Sequence, residues 1–368
     1  MRRSLHQAPV ALMLATLCAC GGGGTGAAHA GPRRQMLQGV ALTVVVPTYA
    51  TLAARAAALA DALRDLEARP DAASLAAAHD AWRVARAAWK QSEPFAFGPA
   101  ATLRSASKID WSPIRADRIE TAIAGASQFD SAAIENLGAN VKGFLSLEYL
   151  LFDAGGDDAA ALATLQASSR RRAYVRALGE NLRDQAVLLR DAWAPEGGNF
   201  AGELFTAGQG SQAYKSVKTA VDALVNQMIF LSDDVAVRQL RNPLGANGTP
   251  RPDLILTARS GNGLADLLDN VAGLQNTYFA TYDGRGGPSL SDVVRELSPS
   301  ADTAISLALE RVFDSAARLT VPLEEAVEVE RESVERTQTR ASDLMRRLEI
   351  DLVSVLGTTL RFNPNDGD

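Results

Sequence analysis

The sequence of 368 residues has few side chains that could bind a soft metal ion, because it contains only two cysteines and three histidines. Both cysteines, Cys18 and Cys20, fall within the first twenty residues, so the rest of the chain has no disulfide framework and no thiolate zinc site. His6 and His29 also lie near the N-terminus, which leaves His79. A catalytic zinc ion normally keeps three protein ligands from His, Glu, Asp or Cys, so zinc is disfavoured.

The sequence also lacks an excess of positive charge. Lys and Arg number 37 against 43 Asp and Glu, the formal net charge is −6, and basic residues are interspersed with acidic ones. Binding to a nucleic-acid backbone requires a basic patch or stripe, so we predict no nucleic-acid partner. Alanine, leucine and charged residues dominate, and alternating valine-rich runs are few. This composition predicts an all-α fold.

The first residues have the order of a bacterial secretory signal. A basic start is followed by an apolar run over 9–17, which is too short to span a bilayer, and then by small residues. Leu17 lies three residues before Cys20 and Ala19 lies directly before it, which resembles the lipobox of bacterial lipoproteins. We therefore predict that residues 1–19 are removed and that Cys20 carries a lipid. The alternative is an ordinary cleaved signal in which the cysteines have no role.

The glycine- and alanine-rich stretch 20–34 is predicted to be a tether that holds the folded part off the membrane. With a lipid on Cys20, we expect the protein in the bacterial cell envelope, anchored to a membrane and facing the periplasm or the cell surface. The glycine after Cys20 is compatible with sorting to the outer membrane.

The remaining chain is predicted to form two packed, four-helix-bundle-like halves related by an approximate internal repeat. The boundaries are 35–195 for the first half, 196–360 for the second and 361–368 for a tail, because the composition changes abruptly after Pro195. Apolar spacing and Pro or Gly breaks predict the following helices: 37–67, 74–93, 118–124, 132–152, 168–193, 212–240, 264–282, 301–319 and a last one from 322.

The last helix carries a seven-residue apolar repeat. Val327, Val334, Ala341, Leu348 and Val355 are spaced as in the seam of a bundle or coiled coil. The acidic run over 324–335 is interpreted as a solvated face rather than a metal-binding strip.

One carboxylate stands in an otherwise apolar helical segment, Gly143 to Phe152. A buried charge without a partner is costly, so Glu148 must be paired, hydrogen-bonded, protonated or bound to a ligand. Partners within the protein could be Lys108, Arg104 or the indole of Trp111. The long irregular connection that contains these residues, 95–113, is itself typical of functional loops.

Three blocks resemble the imelysin family, a group of helical lipoproteins that includes imelysin peptidases and iron-regulated proteins. They are the Trp-rich helix and Phe-Gly-Pro turn over 82–99, the Ile-x-Trp segment over 108–113, and the segment 143–152, which is similar to Gly-x-His-x-x-Glu-Tyr-Leu-Leu-Phe. The segments 240–245 and 260–264 resemble the second half of imelysin-like proteins. The resemblance implies a metal-binding or catalytic centre at the Gly-x-His-x-x-Glu helix. Here the histidine position is Leu145.

The candidate residues come mainly from these blocks. The ligand-binding candidates are Glu148, Glu93, Gly143, Lys108, Asp110, Trp111, Gly98, Pro99, Trp82 and Arg241, and Glu148 is also the candidate metal ligand. Trp82 is more typical of a core, and Glu93 is equally consistent with a surface position. We interpret His79, near the start of its helix, as a solvated residue rather than a ligand.

Three functions are compatible with this pattern. The preferred hypothesis is a non-catalytic envelope lipoprotein that binds a small ligand or metal, such as iron or an iron chelate, between two bundles. Without imidazole or thiolate, its site suits hard cations bound through oxygen or an organic ligand fixed by Arg and Trp. The alternatives are an imelysin-type metallopeptidase and an envelope scaffold with a degenerate pocket. A transport partner in the envelope would suit the first hypothesis.

Overall fold

A computed structural model describes residues 30–125 and 128–361. The predicted signal peptide, its cysteines and the tail from 362 onward lie outside the described residues. Almost all regular structure in the described part is helical, so the all-α prediction is confirmed. The approximate internal repeat stays a prediction.

The first half is built on three long helices. Its helices are α1 (Ala30–Ala68), α2 (Ala72–Ser92), α3 (Pro99–Thr102), α4 (Ser105–Ile109), α5 (Ala116–Gly125), α6 (Ser131–Glu135), α7 (Gly143–Leu151), α8 (Asp158–Ala167) and α9 (Ser169–Trp193). A π-helical stretch, Val40–Val45, lies within α1, and 3-10 turns occupy Glu93–Phe95 and Ala139–Val141. Asp71 caps α2, because its side chain accepts a hydrogen bond from the Ser74 amide at 2.9 Å.

The second half begins after a turn at 194–199. Its helices are α10 (Phe200–Phe205), α11 (Val217–Asp233), α12 (Gly263–Phe279), α13 (Leu290–Leu297), α14 (Pro299–Ala316), α15 (Leu323–Val329) and α16 (Arg331–Arg346). The α11 helix continues through a π-helical stretch, Asp234–Arg241, and a last turn, Asn242–Leu244. Two 3-10 turns, Ala246–Gly248 and Pro252–Leu254, follow before α12. The α16 helix continues through Arg347–Leu352 and Val353–Leu356. The strands β1 (Thr281–Tyr282) and β2 (Arg285–Gly286) form a minimal antiparallel hairpin after α12.

The α1 helix joins the two halves. Its first part packs on α10, α11 and α13, whereas its longer second part packs on α2 and α9. Ala30–Ala68 is long and apolar enough to cross a membrane, but 61% of its most apolar window is buried inside the protein, as in a core helix. The α2 and α12 helices form a further contact between the halves. Gly273 permits it, because a Cβ atom there would lie 2.7 Å from the backbone oxygen of Gln91.

The structure corrects several predicted boundaries. The α1 helix begins at Ala30, so the last five residues of the predicted tether are helical. The helix predicted over 132–152 is interrupted, since α6 ends at Glu135, a 3-10 turn follows at Ala139–Val141, and α7 begins at Gly143, whose φ is +80°. The helix predicted over 264–282 ends at Phe279, where the chain turns into the hairpin. The last helix breaks at Glu330, whose side chain accepts hydrogen bonds from Thr320.

The predicted seven-residue seam is confirmed for its first four positions. Val327, Val334, Ala341 and Leu348 are all buried. The π-helical stretch after Arg346 adds a residue to the turn, so the buried positions after Leu348 are Leu352 and Leu356, and the predicted position 355 is half-buried.

Candidate functional site

The α7 helix places Glu148 at the junction of the two halves. A Cβ atom on Gly143 would lie 2.3 Å from the backbone oxygen of Ile109, so only glycine lets α7 start this close to the crossover segment. Glu148 is 4% exposed. Its Oε1 accepts hydrogen bonds from the Ser260 amide at 2.9 Å and the Ser260 hydroxyl at 2.7 Å, and Ser260 belongs to the second half. Glu148 Oε2 accepts no hydrogen bond from the described residues.

A fully buried arginine, Arg86, is the central cation of this junction. Its Nε donates to both carboxylate oxygens of Asp266 at 2.9 Å, and its Nη1 donates to Asp110 at 2.7 Å. Its Nη2 atom is buried and has no hydrogen-bond partner in the described structure. The guanidinium lies over the rings of Trp82 and Phe144, at 5.5 and 5.7 Å from their centroids. Arg86 therefore holds two acidic groups from different halves and keeps one unused donor.

A second buried cation, Lys90, lies one turn further along α2. Its Nζ is 2.8 Å from a carboxylate oxygen of Glu93 and 3.8 Å from Asp110. The side-chain amide of Asn270, on α12, donates to Glu93 at 2.6 Å. The indole of Trp89 donates to Asp110 at 3.2 Å. The ion pairs thus continue along α2 and again join the first half to α12.

Second-half polar groups fix the carboxylate of Asp266. Thr257 donates its hydroxyl at 2.9 Å, and Asn262 donates its side-chain amide at 2.8 Å. A cavity beside Lys90, Thr257 and Asp266 has a volume of about 20 Å³, which is room for a single water molecule. In this arrangement the ion pairs themselves fill most of the junction.

Burial and charge set the protonation of these groups. Burial raises the pKa of Glu148 to about 7, against the opposing effect of the Ser260 hydrogen bonds and of Arg86. Burial also raises the pKa of Glu93, which Lys90 only partly offsets. Burial acts in the same direction on Asp110, but Arg86 and Lys90 outweigh it and hold the pKa of this carboxyl below its usual range. Glu148 is therefore a carboxyl of this junction that can change charge near neutral pH.

The structure brings together three of the predicted candidates, Glu148, Glu93 and Asp110. The partners that we predicted for Glu148 are wrong. Lys108 forms an ion pair with Glu135 at 2.8 Å instead, and Trp111 is 43% exposed.

The other candidates form no hydrogen bond or ion pair with these carboxylates among the described residues. Trp82 is buried in the core and donates its indole to the backbone oxygen of Phe144 at 3.0 Å. Gly98 has a φ of +57° and packs against Phe200, with Pro99 opening the short α3. Arg241 is exposed at the end of the π-helical stretch.

The prediction that His79 is solvated is wrong. It is 4% exposed, its Nε2 lies 2.8 Å from the backbone oxygen of Leu151, and its ring stacks on Phe152 with centroids 3.9 Å apart. The α2 helix begins at Ala72, so His79 is in its third turn and faces the end of α7 rather than solvent. Burial lowers its pKa, which favours the neutral ring. In the described structure no hydrogen bond or ion pair joins His79 to Glu148.

Sequence reasoning missed Arg86, its partner Asp266, and Asn270, which donates to Glu93. Arg86 follows Trp82 by four residues and therefore lies on the same, buried face of α2. A charged residue within an apolar stripe is the signal that identified Glu148, and it could have identified Arg86 as well. Asp266 and Asn270 have the same spacing on α12. That these residues meet could not be inferred locally, since 180 positions separate Arg86 from Asp266.

No group of three or more His, Cys, Asp or Glu side chains is placed to hold a metal ion within 30–125 and 128–361. Leu145, one turn before Glu148, is buried and offers no ligand atom. The acidic side chains nearest to Arg86 and Lys90, which are Asp110, Asp266 and Glu93, each form an ion pair with one of these cations.

Comparisons with known proteins agree with this fold. The family model of imelysin, classed by name with the peptidases, matches residues 45–349. Iron-regulated protein A of Synechococcus elongatus is 32% identical over 295 residues, covering 80% of this chain and 77% of that protein. A crystal structure of a protein from Parabacteroides distasonis, provisionally assigned as an iron-regulated protein A precursor, superposes with a TM-score of 0.76 and 21% identity over 89% of this chain and 95% of that chain. An imelysin-like protein from Psychrobacter arcticum gives a TM-score of 0.72 and 20% identity over 90% of this chain and 98% of that chain. The two structures support the fold, and the family match together with the Synechococcus relative shows that the chain belongs to the imelysin family.

Proposed function

We propose that this chain is a non-hydrolytic envelope lipoprotein of the imelysin family that binds a small acidic ligand, such as an iron chelate, at the junction between its two halves. The link to iron rests on the family and on the name of the Synechococcus relative. The acidic character of the ligand rests on the residues of the junction.

The observation that carries this proposal is the unused donor of Arg86 next to a carboxyl that can be neutral. A buried guanidinium N–H without an acceptor is costly, and a ligand oxygen would satisfy it. Glu148 is within electrostatic range of Arg86, and its raised pKa allows it to be neutral when an anion arrives. The cavity beside Lys90 and Asp266 has room for about one water molecule, so it admits a single ligand oxygen while the body of the ligand stays outside.

A metallopeptidase, which the family name suggests, needs a metal ion and a base that activates water. The residues around Glu148 do not fit that requirement. Leu145 replaces the family's histidine, His79 contacts the far end of α7, and Asp110 and Asp266 are bound to Arg86. Peptide hydrolysis that requires a metal ion and is abolished by Glu148→Ala would overturn the non-hydrolytic part of the proposal.

The binding part can be tested by calorimetry at pH 6 with ferric citrate, citrate without iron and Fe(II) alone. We expect ferric citrate or citrate to bind, and Arg86→Lys to weaken binding at least ~10-fold, because lysine keeps the charge but loses the Nη2 donor. Circular dichroism would verify that this variant folds, and Glu332→Gln, at an exposed position, is the matched control. Failure of every probe to bind, or equal affinity of the Arg86→Lys variant, would contradict the proposal.

Anchoring through Cys20 is a separate part of the proposal, supported by the lipobox-like residues before it. Labelling of cells with a radioactive or clickable fatty acid should mark the protein, and Cys20→Ser should remove the label and release the protein from the membrane fraction. Fractionation into inner and outer membranes tests the outer-membrane location. An unlabelled chain that is found free in the periplasm would indicate an ordinary cleaved signal instead.

A further inference from the structure

A second cavity, lined by basic residues, lies next to the N-terminal end of α1, where the described chain begins. It has a volume of about 450 Å³ and is formed by the first turns of α1, the segment before α11 and the first residues of α11. Three of the residues that line it are cations, Arg33, Lys215 and Lys218, and none is acidic. A concentration of positive charge is unexpected on a protein with a formal net charge of −6.

The charges of this cavity are only partly compensated. Lys218 forms an ion pair with Asp222 at 2.7 Å and also donates to Thr359 at 2.7 Å. Neither Arg33 nor Lys215 forms an ion pair with any residue in 30–125 or 128–361. The Nε atom of Arg33 is buried and has no hydrogen-bond partner. Burial lowers the pKa of the Arg33 guanidinium, and Asp222, the nearest acidic group, offsets this only partly.

We infer that this basic cavity binds a phosphate group. A guanidinium and two ammonium groups around one opening match the charge and the several acceptor oxygens of phosphate. The N-terminal end of α11, which Ser216 caps, adds a partial positive charge to the same side of the cavity. A phosphate oxygen would also give the buried Nε of Arg33 the acceptor that it lacks. This site is independent of the junction around Arg86 and of the function proposed for it.

The phosphate could belong to a membrane lipid or be free in solution. If Cys20 carries a lipid, nine residues separate it from Ala30, and a fully extended chain of this length spans no more than ~35 Å. The cavity would then stay close to the bilayer surface, where anionic headgroups attract Lys and Arg. A free phosphate compound would satisfy the same chemistry.

Vesicle binding of the unlipidated full chain, Cys20→Ser, tests the inference. Vesicles of phosphatidylcholine with and without phosphatidylglycerol are compared by co-sedimentation, and inorganic phosphate is titrated by calorimetry. In the pocket variant, Arg33→Gln and Lys215→Gln are added. In the control variant, Arg55→Gln and Arg318→Gln remove two exposed cations elsewhere, so both variants have the same net charge.

We expect the pocket variant to lose roughly 30-fold in affinity for one of the two probes, whereas the control variant stays within about threefold of the parent. Loss of binding to phosphatidylglycerol vesicles identifies a lipid headgroup as the source of the phosphate. Loss of binding to inorganic phosphate, with no preference for anionic vesicles, identifies a free phosphate compound. Equal behaviour of the pocket and control variants with both probes would overturn the inference.

Discussion

Replacing Glu148 by glutamine removes an ionisable group at nearly constant shape, and we expect the variant to gain stability over the wild type as the pH rises. Burial raises the pKa of Glu148 from its ordinary 4.5 to about 7. Between these two values the folded protein holds a proton that the unfolded chain has lost. The free energy of unfolding therefore decreases as the pH rises, mainly between pH 4.5 and about pH 7.

The size of this effect follows from the same two values. The full gap corresponds to roughly 3 kcal/mol at ~1.36 kcal/mol per pH unit, and most of it, roughly 2–3 kcal/mol, falls between pH 5 and pH 8. Glutamine can still accept the hydrogen bonds from Ser260 through its carbonyl oxygen. The stability difference between variant and wild type should thus increase by roughly 2–3 kcal/mol over this range, because the titrations of all other groups cancel in the comparison.

Urea unfolding followed by circular dichroism at pH 5, 6, 7 and 8 measures this difference, provided that the slope of the transition is the same for both proteins. Glu332→Gln, at an exposed position, is the matched control and should shift stability by the same small amount at every pH. A Glu148→Gln difference that is constant with pH, or that changes in the opposite direction, would refute the reasoning.

Further predictions concern the ion pairs and the start of α7. Arg86→Met should cost about 3–5 kcal/mol in urea unfolding, because it leaves Asp110 and Asp266 buried without their cation, and adding Asp266→Asn should recover part of the loss. Gly143→Ala should destabilise the protein by ~2 kcal/mol or more, since φ at this position is +80° and the new Cβ would collide with the backbone of Ile109. In the control Gly125→Ala, the new Cβ has no atom within 4 Å, so its stability should stay within about 0.5 kcal/mol of the wild type. Citrate binding should weaken more in the wild type than in Glu148→Gln as the pH rises from 6 to 8, as calorimetry at several pH values would reveal.

The parts of the fold that depend on neighbouring residues could be predicted from the sequence. The end of α1 before Pro70 and the cap of α2 at Asp71 follow from short-range steric and hydrogen-bonding preferences. The break before α7 could not be predicted in the same way. It depends on the approach of Gly143 to the backbone of Ile109, and such a contact leaves no periodic signal in the sequence.

For the candidate site, burial could be predicted from the sequence, whereas contacts between distant segments could not. The apolar surroundings of Glu148 indicated that it is buried, which is correct. Its partner, Ser260, lies 112 positions away in an irregular segment, so no local spacing identifies it. His79 was misinterpreted for a related reason, since its burial comes from α7 packing on α2 and not from its own helix.

The charges around Arg86 link the protonation of Glu148 to what the junction can bind. Arg86 and Lys90 supply two positive charges, whereas Asp110, Asp266 and Glu93 supply three negative charges when ionised. An ionised Glu148 would add a fourth, and an anion entering beside it would meet a net negative site of low dielectric constant. A protonated Glu148 lowers that repulsion, because one of the negative charges beside the free N–H of Arg86 is then absent. Binding of an acidic group would then favour the protonated form, so the anion and the proton should enter the junction together.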